Sequence, residues 1–269
     1  MSRSFDGLDD LINFGTNVLH DNLGPLTFAL WVNPVNGGES NLGFMMAIQN
    51  DLGGYKIFRF NNTVAGRTQI LIDGSTDISR ITNNSGLLPF NKWTFASATW
   101  TGSNLASDVH IYYNAVEQSY AVSTSGAGIV ADSGGNLLIG NNTGTTRTFN
   151  GQIAYAHVYN RILSIEEMKQ IMFYPGSIIN GLVSFNPLLG SASTEPDFSG
   201  NKNNGTVTGA IKGTTEPSIN GLFTIPHPNF WYSAFSTEEV ANYYRRLSIL
   251  NSTKLSVVDK TKVSILQGA

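Results

Sequence analysis

The chain of 269 residues contains no cysteine, so neither a disulfide framework nor a thiolate metal site can form, and the redox compartment is left open. Charge is scarce as well: Asp, Glu, Lys and Arg make up 13% of the chain, against about 25% in an ordinary soluble domain. A formal net charge of −3 supplies no long-range field for nucleic acid or an anionic membrane, and neither is expected as a partner. No stretch approaches the ~18 consecutive apolar residues of a membrane-spanning helix. The opening MSRSFDGLDD lacks the apolar core of a signal peptide, so a soluble chain that is not conventionally secreted is expected.

Catalytic wording is missing too. His20, His110, His157 and His227 are isolated in sequence, with no His-Glu-x-x-His spacing, and no glycine-rich phosphate loop precedes a helix. Sugar hydrolysis on a β-sandwich needs carboxylates on one face of one strand, as in Glu-x-Asp-x-Glu, because alternate strand positions share a face. The adjacent glutamates Glu166-Glu167 and Glu238-Glu239 fall instead in the first turns of expected helices, where capping and the helix dipole account for them. No enzyme is expected.

What the chain does have is Asn, Ser, Thr and 28 glycines, the composition of many short strands joined by tight turns. Strand patterns occur at 26–33, 43–49, 55–60, 68–73, 92–100, 108–114, 117–122, 136–140 and 151–159. Turn signals such as Asn36-Gly37-Gly38, Asp73-Gly74 and Asn142-Thr143-Gly144 separate them. This density predicts an all-β fold, a two-sheet antiparallel β-sandwich. Trp31, Trp93 and Phe95 sit inside strands and read as core. In FNGQIAYAHVYNRILSIEEM (149–168), Ile153, Tyr155, His157 and Tyr159 alternate with Ala154, Ala156 and Val158, a strand pattern. Ser164 and Glu167 form a capping box stapled by Leu163 and Met168, which predicts a short helix from Ile165 to about Met172.

The order and wording of these strands resemble the laminin-G-like, concanavalin A-like jelly-roll superfamily in its bacterial and phage form. SFDGLDDLINFG looks like its opening strand, LTFALWVNP like its second and NKWTFASATWTGS like its central tryptophan strand. VHIYYNAVEQ looks like its hairpin, and the 149–168 stretch like its closing strand and helix. Relatives usually carry charged residues where this chain has Ala154, Tyr155 and His157, so the face of Tyr155, His157 and Tyr159 reads as prepared for contact. The passage at 180–211 is similar to one that usually precedes the opening strand. Placed after the closing helix, it is expected to complete the sandwich, with residues 182–185 beside the N-terminal strand. Residues 1–220 then form the jelly roll and 221–269 a C-terminal arm.

In the arm, Thr224-Ile225-Pro226-His227-Pro228 is expected to be extended. Phe230, Trp231 and Tyr232 supply aromatic anchors for an interface, or cover one end of the sandwich within the same chain. Ser236 and Glu239 form a second capping box, predicting a helix from Thr237 to about Leu247.

Two ligand sites are conceivable. Asp197, Asn201, Asn203 and Asn204 offer the oxygens calcium takes, and the resemblance implies calcium in loops of this kind; Asx turns explain them equally. Trp100 with Asn141, Asn142, Thr143 and Arg147 supplies an aromatic platform and planar polar groups suited to a glycan. The resemblance further implies a virion structural or display protein, such as a head decoration, head fibre or tail-associated adhesin. Its partners would be other virion proteins, copies of itself (a homotrimer, for example) or host-surface glycans. The alternative is a carbohydrate-binding module of a bacterial secreted or cell-surface protein, acting outside the cell.

Overall fold

The computed structural model describes residues 2–51, 53–188, 190 and 192–219. In chain order the strands are β1 (Arg3–Asp6), β2 (Leu11–Thr16), β3 (Leu26–Pro34), β4 (Phe44–Gln49), β5 (Tyr55–Phe60), β6 (Thr68–Ile72), β7 (Gly74–Thr76), β8 (Ile78–Thr82), β9 (Thr94–Trp100) and β10 (Val109–Tyr113). There follow β11 (Val116–Glu117), β12 (Tyr120–Thr124), β13 (Ala127–Ile129), β14 (Asn136–Ile139), β15 (Asn150–Tyr159), the helix α1 (Ile165–Phe173), β16 (Leu182–Asn186), β17 (Thr194–Glu195), β18 (Gly205–Thr208) and β19 (Ile211–Lys212).

They build two large antiparallel sheets. One runs β11-β10-β9-β3-β15-β1-β19, with β16 also on β15; the other runs β12-β8-β6-β5-β4-β14-β2-β18-β17. Their inner faces meet in one core holding Phe28, Leu30, Ala96, Ala98 and Ile153 from the first sheet and Met46, Phe58, Ile70 and Ile139 from the second. Large residues face small ones across neighbouring strands, Phe28 opposite Ala98 and Leu30 opposite Ala96, the complementary pairing by which side chains interdigitate in a packed core.

β3 and β9 are buried along both faces because α1 covers the outside of the first sheet. Trp31 donates from Nε1 to the Met172 carbonyl at 3.1 Å, and the Ser97 hydroxyl contacts Met168 Sδ at 3.4 Å. Trp31 also meets Phe95 edge-on at 5.8 Å. The helix forms where the capping box predicts it: Glu167 N–H donates to Ser164 Oγ, and Ser164 N–H donates to the Glu167 carboxylate.

The closing strand departs from simple alternation. Tyr155 adopts φ 50°, and the register with β3 shifts between Ala154 and His157, a β-bulge that reverses the parity of everything after it. Ile153 before the bulge and Ala156 and Val158 after it therefore all reach the core. His157 and Tyr159 turn to the outer side. Beyond the bulge, β16 takes over from β1 along the same edge of β15. Residues 182–185 thus pair with the closing strand, in line with the N-terminal strand and not hydrogen-bonded to it.

Candidate functional site

The outer faces of the two sheets differ. α1, the one α-helix among the described residues, lies on the first sheet. On the second, the positions that alternate with core residues gather into a separate apolar floor: Phe44, Ala47, Ile57 and Leu138 are themselves buried, and the half-buried Leu11, Tyr55 and Leu71 packed against them supply its accessible apolar surface. Its polar border comes from the same strands by the two-residue period. Arg59 follows Tyr55 and Ile57 on β5, and Gln69 precedes Leu71 on β6, directly opposite Arg59.

These polar groups are tied together. Arg59 Nε donates to Gln69 Oε1 at 3.1 Å while its guanidinium lies 5.8 Å from the Phe44 ring. Gln69 Nε2 donates to Ser79 Oγ at 2.8 Å. At the far end Tyr55 donates its hydroxyl to Asp77 Oδ2 at 2.9 Å. Burial first, and then the Asp77 hydrogen bond, push the Tyr55 phenol well above its usual range, so it stays a donor. Asp73 lies beside this pair, and burial followed by the Asp77 charge raises its carboxyl. Burial, then the charge of Arg147, lowers Arg59. The half-buried Tyr55 ring, the Arg59 guanidinium and the Asp73 and Asp77 carboxylates are what a sugar ring needs: a surface for its C–H face and planar partners for its hydroxyls.

The expected glycan residues are only partly assembled here. Trp100 is 3% exposed and sits in the core, its Nε1 donating to the Ser103 carbonyl at 2.8 Å. It cannot act as a platform, because β9 places its even-numbered positions inward. Asn141 is also buried: its Nδ2 donates to Thr148 Oγ1 at 2.6 Å and its Oδ1 accepts the N–H groups of Asn142 and Arg147. It staples the 141–148 loop from within. Asn142 binds Thr146 inside the loop, and Thr143 is exposed. Arg147 belongs to the border of the apolar floor, since its carbonyl accepts the Phe44 N–H at 2.9 Å and its charge reaches Arg59.

Asp197 is fully buried and already satisfied. Oδ1 accepts from Phe185 N–H at 3.0 Å and Ser199 N–H at 2.9 Å; Oδ2 accepts from Ser199 Oγ at 2.7 Å and Asn203 N–H at 3.1 Å. Asn201 donates to the Val183 carbonyl at 2.9 Å. Four donors occupy the lone pairs an ion would use, so these residues act as the Asx-turn anchor of the segment after β16. A different acidic group, Asp6, Asp9 and Asp10, brings its carboxylates within 4.8 Å of one another. There Asp10 caps the Asp6 N–H at 2.7 Å and Asp6 caps Leu8 N–H at 2.8 Å, closing the β1–β2 turn.

The contact face also needs correcting. Tyr155, His157 and Tyr159 are 5%, 0% and 0% exposed. His157 stacks on Phe185 at 4.4 Å and accepts the Gly176 N–H on Nε2 at 3.1 Å; Tyr159 donates to the Ile178 carbonyl at 3.0 Å. The chain after α1 covers them, so they present nothing to a partner. Phe230, Trp231 and Tyr232, the second capping box and the arm's expected helix lie outside the described residues.

The fold and this floored sheet define a lectin-like jelly roll. The chain belongs to the concanavalin A-like lectin/glucanases superfamily: the Laminin_G_3 family model matches residues 6–169. No curated protein matches the sequence. Among solved structures, a candidate carbohydrate-binding protein from Bacteroides ovatus ATCC 8483 is similar over 81% of this chain, with a TM-score of 0.58 and 17% identity. The matched part is 60% of that protein's length. Domain 4 of AbnA, a GH43 extracellular arabinanase from Geobacillus stearothermophilus solved with arabinotriose, is similar over 63% of this chain and 75% of its own, with a TM-score of 0.47 and 15% identity. Tailspike protein 2 from the Escherichia coli O157:H7 bacteriophage CAB120 is similar over 69% of this chain and 26% of its own, at 0.45 and 15%. Similarities of this degree speak for the fold alone.

Proposed function

We propose that this protein is a non-enzymatic glycan-binding display protein whose binding surface is the outer face of the nine-stranded sheet. The observation that carries the reading is the half-buried Tyr55 ring, backed by the buried cluster of Phe44, Ala47, Ile57 and Leu138 and flanked by Arg59 and Asp77, on the sheet that α1 does not cover. Its sugar ligand stacks on Tyr55 and exchanges hydrogen bonds with Arg59 and Asp77, while the buried Gln69 holds the Arg59 guanidinium in place. Membership of a virion, as a decoration or tail-associated adhesin, is the setting we favour on the sequence resemblance. A carbohydrate-binding module outside the cell uses the same surface.

A glycan array, followed by calorimetric titration of the best sugar, tests the site. Tyr55→Ala and Arg59→Ala should each weaken binding tenfold or more, with the melting temperature kept near wild type. Undiminished binding by both variants would remove the site from this face. Mass spectrometry of purified particles decides the setting: its absence from every particle favours the module.

A further inference from the structure

Lys56 is the one lysine or arginine on β5 that points into the core: its neighbours Tyr55 and Ile57 face outward, and Phe58 and Phe60 share its inner side. Its Nζ meets Asp132 Oδ2, with side chains 3% and 0% exposed. The Trp100 ring centre lies 6.0 Å from Nζ. Asp132 is held from both sides: the Asn22 N–H donates to its Oδ1 at 2.6 Å, and its own N–H donates to Asn22 Oδ1 at 3.1 Å. Asn50 fixes the flanking backbone through the Ala131 and Ser133 carbonyls at 3.2 and 3.4 Å. Within electrostatic reach of Asp132 sits His20, 0% exposed, with neither ring nitrogen hydrogen-bonded among the described residues.

We propose that Lys56 and Asp132 condense into an intramolecular isopeptide bond, a covalent staple in a chain that has no disulfide. Burial, against the opposing Asp132 charge, lowers the Lys56 ammonium, and the reaction begins as the proton passes from Nζ to Oδ2, leaving an amine beside a carboxylic acid. The amine lone pair then adds to Asp132 Cγ. Negative charge develops on Oδ1, where the Asn22 N–H is already aimed, an oxyanion-hole arrangement. The Cγ–Oδ2 bond breaks, and Oδ2 leaves as water with the acid's proton and one proton from the amine. No oxidant or cofactor is consumed. His20, buried with both ring nitrogens unpaired among the described residues and within electrostatic reach of Asp132, is the group whose replacement tests for a proton relay to the leaving oxygen. Trp100 is explained by the same chemistry: it seals the pair from solvent.

The mass of the full chain, measured under denaturing conditions, tests this directly. We expect one water less than the sequence mass, and a tryptic digest in which cleavage after Lys56 is lost and its peptide is joined to that carrying Asp132. A full sequence mass, or a water loss mapped elsewhere, overturns the proposal. Lys56→Arg should restore the full mass whether or not it folds stably. His20→Gln should give a mixture of linked and unlinked chains that converts slowly; complete linkage at the wild-type rate would take His20 out of the chemistry.

Discussion

Arg3 and Glu195 form an ion pair with side chains 2% and 0% exposed, joining the first strand to β17 across 192 positions of sequence. Arg3 also donates to the carbonyls of Ala192 and Ala210, so one guanidinium sews the segment after the helix onto the N-terminus. Removing one partner of such a pair strands a buried charge, which costs about 3–5 kcal/mol. Glu195→Gln should therefore shift the urea midpoint strongly downward, and Arg3→Met with Glu195→Met should recover most of the loss. If Glu195→Gln unfolds like the wild type, the pair does not hold the two ends together.

The same sewing bears on our proposal that residues 1–220 are the folding unit. β16 lies on β15, β18 on β2 and β19 on β1, so the post-helix segment contributes to both sheets. A chain ended after residue 220 should melt cooperatively near the full-length temperature. One ended at 179 should lose cooperative unfolding, because β15 beyond its bulge and β2 would each expose an unpaired edge.

Much of this was legible in the sequence, and the exceptions have physical causes. Strand density and the capping box at Ser164 read correctly because they depend on neighbours in sequence. The face of a residue did not always read, since the bulge at Tyr155 reverses parity without changing the alternating pattern. Trp100 looked like a platform because a strand end is exposed in most contexts, whereas here it closes over Lys56. YKIFRF contains the site residues Tyr55 and Arg59, but both faces of β5 are apolar. Only the long-range contact with Asp132 explains why the lysine, and not the tyrosine, points inward.

Asp197 provides a second test. Asp197→Ala leaves the N–H groups of Phe185, Ser199 and Asn203 without their buried acceptor, and each such group costs about 1–3 kcal/mol. We expect a loss of several kcal/mol in chemical denaturation, equal with and without added calcium. A melting temperature that rises with calcium in the wild type and not in Asp197→Ala would return the residue to a metal site.

Acid should loosen the fold through two histidines. Burial pushes His157 down to about 3 and His20 to about 4, from an ordinary value of 6.5. Both are neutral in the folded chain, while the unfolded chain protonates near 6.5. Below that pH the unfolded state binds more protons, so stability present above 6.5 is lost as pH falls toward 4, by up to about 1.4 kcal/mol per pH unit for each histidine. His157→Phe keeps the stack on Phe185 and loses the acceptor for Gly176 N–H. It should be less stable at neutral pH, with roughly half the acid slope of the wild type. An unchanged slope in urea titrations would assign acid sensitivity elsewhere.

Binding at the outer face separates into stacking and hydrogen bonding at a single residue. Tyr55→Phe keeps the ring over the apolar floor and removes only the hydroxyl that Asp77 accepts. Tyr55→Ala removes both. An aromatic contact contributes about 0.5–1.5 kcal/mol beyond its buried area, so Tyr55→Phe should retain most of the affinity that Tyr55→Ala loses. The Asp77 carboxylate, released from the phenol in Tyr55→Phe, becomes free to accept from a sugar hydroxyl, which works against the loss. Titration of both variants with one sugar decides: equal losses would mean that the hydroxyl and Asp77, not the ring, carry recognition. Thr143→Ala, on the exposed part of the neighbouring loop, should leave affinity unchanged, because recognition on this reading belongs to the sheet, which the loop borders through Arg147.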